Sequence, residues 1–445
     1  MSHQTWSKDS EKQQNGNLGD SSVEPETDIS TVEENRIAEN TPTTTEAPDG
    51  GYGWLVVLGA FLCQWVIFGY GLTWGVYEEY YQNVQFKGQA SPSVISLIGT
   101  VGTALVVVCG PINGPLVDRF GVRTLLAAAT IILPLGLILA SFSTQIWQLF
   151  LTQGVLYGLG SSLSFFPSVG TIPEWFTKHR GLASGIAVCG TGIGGLVLSP
   201  VTSKLIAVIG IGWTLRIIGI MAFIMLATAT ILIKGRVVRD KARPFTVDVS
   251  LLKQKKLALY IVAIAIEYFA YVVPFYLTPE FSFTIGLGRE NGSLFVALMN
   301  GANAVGRIVL GLAADRLGRI NVMCFCLIFS SLSILLIWNF SFSFAPMCIF
   351  SLFYGFFGGG FVTLVGVVTA ELSGIGNLPS ALGLVFASTF VGNLVGTPIA
   401  AALHKPSLSN PYLPSILFSG FMTLLSGLII FLLKLTCNRS VMGKV

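Results

Sequence analysis

From residue 53 onward, apolar runs of membrane-spanning length follow one another with little between them. Twelve can be counted, near 53–77, 94–117, 122–142, 146–173, 182–205, 212–233, 257–280, 292–314, 320–340, 342–370, 379–403 and 412–434. A bilayer core of about 30 Å is crossed by roughly 20 residues of helix. Lipid offers no partner to a bare backbone N–H or C=O, so continuous helices are the economical solution. The pattern predicts an all-α membrane protein with twelve transmembrane helices. The first run opens at "DGGYGW" (49–54). That is too late and too long for a secretory signal, which would start near Met1 with a basic flank.

Charge then divides the chain. Only 11% of residues are charged, where a soluble domain carries about 25%. Residues 1–49 hold 11 of the 22 acids and only Lys8, Lys12 and Arg36 as bases, a net −8. Residues 1–48 are rich in Ser, Thr, Asn, Glu and Pro, the composition of a disordered tail. The overall +4 averages over two unlike parts and gives no sign of nucleic-acid binding. A basic stretch, 234–256, separates six spans (49–233) from six more (257–434) and leaves 435–445 as a second tail. Lys and Arg favour cytosolic loops. With the N-terminus inside, inside segments after residue 49 collect 17 bases and outside loops only Lys87, Lys204, Arg289 and Lys405. Both termini are therefore expected in the cytosol. The seven cysteines, in spans or just beyond the last, imply no disulfide framework. Cys324 and Cys326 lack the partners of a metal site. No metal or cofactor is expected.

The two halves repeat. "GPLVDRFGVR" (114–123) follows span 2 and "GLAADRLGRI" (311–320) follows span 8. Asp118 and Asp315 are 197 residues apart, as are Glu174 and Glu371; Gly185 and Gly383 are 198 apart, as are Pro200 and Pro398. Two parallel six-helix repeats with a site near the midplane describe a secondary transporter. The D-R-x-G loops resemble the signature loop of the major facilitator superfamily. "DGGYGW" and "EWFTKHRGLASGIAVCGTGIGG" (174–195) resemble the two signatures of its monocarboxylate transporter family, and "YGLTWGVYEEYY" (70–81) is similar to the fungal branch. The resemblance spans 49–434 and implies the major facilitator fold.

The repeated loop suggests a gate. Asp118 and Asp315 can each accept from a neighbouring helix N-terminus and pair with Arg119 or Arg316, with Arg123 and Arg319 close by. Gly121 and Gly318 allow the tight turn. Such bonds would latch the cytosolic ends and break as the halves rock; the plainer alternative is that the arginines only fix topology.

Span 8 places Asn300, Asn303 and Arg307 on one helix face. A charge at that depth faces protein or a water-filled cavity, and a guanidinium suits a carboxylate through a planar fork; the plainer alternative is a structural ion pair or a snorkelling side chain. The resemblance also implies a substrate role for Arg307, which matches the family's substrate-site arginine. Two positions depart from the proton-coupled animal members: Asn303 stands where they have an acid, and Leu72 where they have a lysine. Their lactate–proton pair is therefore absent. Glu267, deep in span 7, fits two roles, a proton-coupling carboxyl or a packing group bonded to a neighbour. Tyr268, Phe269, Tyr271, Phe275 and Tyr276 crowd the same span, with Pro274 as an expected kink. Tyr271 and Phe275 are candidates to line a site for a larger planar molecule; ordinary packing is the alternative. The glycines of 185–195 suit close helix packing rather than nucleotide binding. Arg216 is expected at the membrane interface, and Asn291 as a helix N-cap.

These residues point to a plasma-membrane transporter, monomeric, moving a small organic anion through the bilayer by alternating access, with a proton as the candidate coupling ion. Export or import of a larger aromatic metabolite is the alternative, and a non-transporting nutrient receptor is a third. No cluster of nucleophile, base and orienter argues for an enzyme.

Overall fold

The computed structural model describes residues 47–89, 91–237, 249–405, 407–408 and 410–437. The acidic tail through residue 46, the middle of the basic linker and the last eight residues lie outside the described residues, and the expectations placed on them stay there.

Helices account for every regular element described. In chain order the spans are α1 (Gly53–Gln85), α2 (Pro92–Val108 and Gly110–Phe120), α3 (Val122–Ala140), α4 (Ile146–Trp175), α5 and α6 within Arg180–Leu232, α7 (Lys255–Glu267 and Val273–Thr284), α8 (Gly288–Leu317), α9 (Arg319–Phe340), α10 (Phe344–Ser373), α11 (Leu378–Ala402) and α12 (Leu413–Cys437). By length and apolar content, nine described helices can cross a membrane, or ten with the bent pair of α2. Two further facts restore twelve. Arg180–Leu232 has 53 residues, about 80 Å at 1.5 Å per residue, more than twice the bilayer core. It is divided at Gly210, whose φ of 77° and ψ of 165° suit only glycine, so α5 is 180–209 and α6 is 211–232. The two pieces of α7 make one more span.

Four spans therefore depart from the twelve separate, continuous helices expected. α2 bends by 52° at Cys109, where Pro111 starts the second piece without an N–H to donate. α5 and α6 share one run. α7 is interrupted over 268–272, and Pro274 lies in the first turn of its second piece rather than at a kink in a continuous helix. Asn291 is also corrected: α8 begins at Gly288, and the Asn291 amide donates back to the Leu287 carbonyl at 2.8 Å instead of capping.

Within the first half, α5 packs on α1, and α3 on α4 and α6; within the second, α8 packs on α10, α9 on α12, and α7 on α11 and α12. The halves meet along two seams, α5 against α8 and α2 against α11. Both seams are lined by small residues that let backbones touch.

Candidate functional site

Start with the seam between α5 and α8. Glycines at 181, 185 and 311 leave no room for a side chain: a Cβ on Gly185 would collide with the Arg307 carbonyl, and one on Gly181 with the Gly311 carbonyl. The same glycine run continues upward, with Gly194 against Gly69 and Gly195 against Leu72 of α1. Its small residues thus serve two interfaces at once. The other seam is built likewise. A Cβ on Gly110 would lie 2.8 Å from the Gly383 carbonyl, and one on Gly114 2.8 Å from Ser380 Cα.

The ends of these seams carry the repeated loops. At the first seam, Asp315 accepts the Gly181 N–H at 2.8 Å and the Leu182 N–H at 2.9 Å, the opening amides of α5. Helix N-terminal amides are orphan donors, so a carboxylate there meets two of them and the positive end of the helix dipole. The arginine beside it is Arg319, not Arg316. Arg319 Nε is 3.8 Å from Asp315, its Nη1 is 3.8 Å from Glu371, and its Nη2 donates to the Thr177 carbonyl at 2.5 Å. Arg316 is exposed. Four residues separate Asp315 from Arg319, across the turn at Gly318 (φ 96°), which folds the start of α9 back toward it. In the other half, Gly121 (φ 82°) makes the matching turn. Arg123 donates to the carbonyls of Ile231 and Ile233, at 3.1 and 3.2 Å, and so closes the end of α6. Asp118 is half-buried on the last turn of α2, and exposed Arg119 lies over the Phe120 ring.

Arg307 sits deeper in the α5–α8 seam, only 6% exposed. Its Nη1 donates to the Val188 carbonyl of α5 at 2.5 Å, while its buried Nε has no hydrogen-bond partner. No carboxylate forms an ion pair with it among the described residues. Asn303, one turn away, is buried and donates to the Tyr271 hydroxyl at 3.4 Å. Asn300 instead bonds the Val296 carbonyl of its own helix at 3.1 Å. The interruption in α7 faces this stripe. Tyr271 is in ring contact with Tyr268, Phe275 and Phe361, and Phe275 with Tyr354. Tyr354 donates to the Tyr271 carbonyl at 2.6 Å, satisfying a group that the broken helix frees. Glu267 ends the first piece of α7 and is 2% exposed. It turns toward α12, where Thr423 donates to one carboxyl oxygen at 3.5 Å, and its other oxygen has no partner. Arg216 bonds Ser141 Oγ at 3.0 Å and lies over the Phe142 and Trp213 rings.

Sequence reasoning missed Asp49 as a functional residue, although it opens one of the quoted signatures. One Asp49 oxygen accepts the N–H groups of Thr177 and Lys178 at 2.7 Å each and of His179 at 3.4 Å. Burial pulls its carboxyl up, but these bonds and nearby His179 outweigh it and hold the pKa below the usual carboxylate value. The two signatures thus converge. Tyr52 and Trp175 are in ring contact at 5.5 Å, and Lys234 lies 4.2 Å over Tyr52. Glu174 accepts the Arg236 N–H at 2.7 Å.

A family model described as the Major Facilitator Superfamily matches residues 54–312 and 263–442. The MFS transporter asaE of Aspergillus flavus is 32% identical over 382 residues, 85% of this chain and 86% of that protein. The agnestins efflux protein AgnL12 of Paecilomyces divaricatus is 32% identical over 393 residues, 88% and 89% of the two chains. The aspyridones efflux protein apdF of Emericella nidulans is 30% identical over 371 residues, 81% and 74%. Among solved structures, a bacterial homologue of the iron transporter ferroportin in its outward-facing state matches with a TM-score of 0.70 at 14% identity, covering 86% of this chain and all of that one. The human organic anion transporter MFSD10 (TETRAN) matches with a TM-score of 0.64 at 15% identity, covering 85% and 97%. At such identities the likeness is one of fold.

Proposed function

The chain belongs to the Major Facilitator Superfamily and is a membrane transporter of that type, and from this premise we propose that it exports an organic anion of metabolite size by alternating access. The observation that carries the proposal is Arg307. A buried guanidinium with, among the described residues, one backbone bond, an unpartnered Nε and no ion pair is costly in a low-dielectric interior. A substrate carboxylate would supply the missing acceptor in a two-bond fork. Tyr271 and Phe275 beside it favour a substrate with a planar, apolar body. Efflux is supported by the relatives named as efflux proteins. Kinship with the monocarboxylate branch rests on the two signature segments, and Asn303 and Leu72 set the chain apart from the lactate–proton pair. In this scheme the end bearing Asp49, Asp118 and Asp315 faces the cytosol, both termini lie there, and a monomer works in the plasma membrane.

Arg307→Gln turns a charge-assisted bond of roughly 1.5–3 kcal/mol into a neutral one. That is about 10- to 100-fold in affinity for an aromatic carboxylate. Arg307→Lys keeps the charge, loses the fork, and should fall between. Surface abundance and ligand-induced thermal shift of both variants are the test. Normal abundance with an unchanged shift for the glutamine variant would sink the anion assignment. Glu267 is the proposed proton carrier. Glu267→Gln should preserve substrate binding and remove the dependence of flux on a proton gradient in reconstituted vesicles; an unchanged dependence excludes the role.

A further inference from the structure

We propose that Asp49 is a positioning residue of the gate: it sets the backbone of 177–182 so that the segment can receive Asp315 and Arg319 from the other half. This rests on the transporter reading but not on the substrate. The segment joins α4 to α5 and leaves helical geometry between Phe176 and His179. Its N–H groups need outside partners, and one carboxylate oxygen of Asp49 takes three of them. Asp49 is itself pinned, because its N–H donates to the Trp175 carbonyl at 3.2 Å. It is also the one non-glycine among the described residues with a positive φ, 50°. Aspartate tolerates that conformation better than most residues but does not prefer it, so the carboxylate is aimed by a backbone held away from its ordinary state.

The opposite side of the same six residues faces the second half. The Thr177 carbonyl takes Arg319 Nη2, and the Gly181 and Leu182 N–H groups take Asp315. Arg180 closes the stretch on itself, its Nε donating to the Phe176 carbonyl at 2.6 Å. Two carboxylates, one from before α1 and one from the end of α8, therefore hold five of the six amides of a single stretch of backbone. Only the second can leave when the halves part. The first stays with its own half and keeps the seat in shape for the return.

The test needs no substrate. Ser184 lies buried on α5, between Gly181 and Gly185. In the full-length purified protein, Ser184→Cys should react slowly with a small maleimide while the seam is closed, read by peptide mass spectrometry. Adding Asp49→Ala should speed that labelling about tenfold, the scale of a lost charge-assisted bond. Asp49→Asn, which keeps the acceptor oxygen, should stay within about twofold. On an Asp315→Ala background, Asp49→Ala should add little, because the two act through one segment. If the alanine variant does not accumulate, Asp49→Glu, whose longer arm misplaces the carboxylate, should show the same rise. Labelling at the parent rate in a well-folded Ala or Glu variant overturns the proposal. So does an effect that adds in full to Asp315→Ala. Loss of anion binding in Arg307→Gln tests the transporter's substrate separately.

Discussion

The two seams between the halves are built from equivalent positions and bury different groups. Gly185 and Gly383 are 198 residues apart, and Arg307 and Gly110 are 197 apart. Each glycine of the first pair faces the matching partner of the second. Between α2 and α11, backbone meets backbone, and beside it Phe165, Phe166 and Phe386 pack edge to face. Between α5 and α8 the same crossing carries a guanidinium, and its end is held by Asp315 and Arg319. One crossing geometry thus carries a buried guanidinium on one side and packed phenyl rings on the other. On the proposed reading of Arg307, a duplicated scaffold needs its binding charge only once, and a single buried cation is less costly than two.

Valine at Gly185 and at Gly383 tests that division most severely. Each adds a Cβ against a backbone carbonyl, an overpacking cost of about 1–3 kcal/mol. Both variants should lose most of their flux. Only Gly185→Val should also weaken anion binding, since it displaces Arg307; equal binding losses, measured by ligand-induced thermal shift, would erase the contrast. Asp315→Asn should act more mildly. It weakens two charge-assisted bonds to the start of α5, so turnover in vesicles should drop about fivefold with affinity little changed. Asp118→Asn should lower turnover in the same manner if its loop also latches, and a parallel loss of affinity in either variant would count against gating. The smallest effect belongs to Asp49→Asn. The Asp49 carboxyl has a folded pKa below the ordinary 3.8, so the stability it contributes is fully present above about pH 4 and is lost as pH falls through the folded value. The melting-temperature gap between the parent and Asp49→Asn should therefore hold steady from about pH 7 to 5 and close below about pH 4.

Much of the architecture was legible because membrane spans are written locally, as runs of apolar residues. The register of the halves was legible because a copied loop keeps its spacing. The stripe of Asn300, Asn303 and Arg307 followed from helical periodicity alone. What escaped is what depends on distant partners. Arg319 rather than Arg316 pairs with Asp315, because Gly318 turns the chain so that the fourth residue, not the first, faces back. Asp49 finds its amides about 130 residues away, beyond any periodic signal. The break at 268–272 precedes Pro274, the one breaker visible there, and is stabilised by Tyr354 from another helix. Pro111 did announce the bend of α2, within a stretch noted only for its D-R-x-G ending.

The broken span has a consequence for how the protein is made. The two pieces of α7, 13 and 12 residues long, reach only about 20 and 18 Å at 1.5 Å per residue. Neither alone crosses a core of about 30 Å. The hydroxyl that satisfies the Tyr271 carbonyl lies 83 residues downstream, and the threonine that meets Glu267 lies 156 downstream. A ribosome delivers α7 well before either partner exists. Its middle keeps backbone bonds of its own, Ala270 and Tyr271 N–H to the Glu267 carbonyl and Val273 N–H to the Ala270 carbonyl, so what α7 lacks until α10 and then α12 arrive is a partner for one carbonyl and for one buried carboxyl. The second half of this transporter thus closes its last bonds late, in the order in which those two helices emerge.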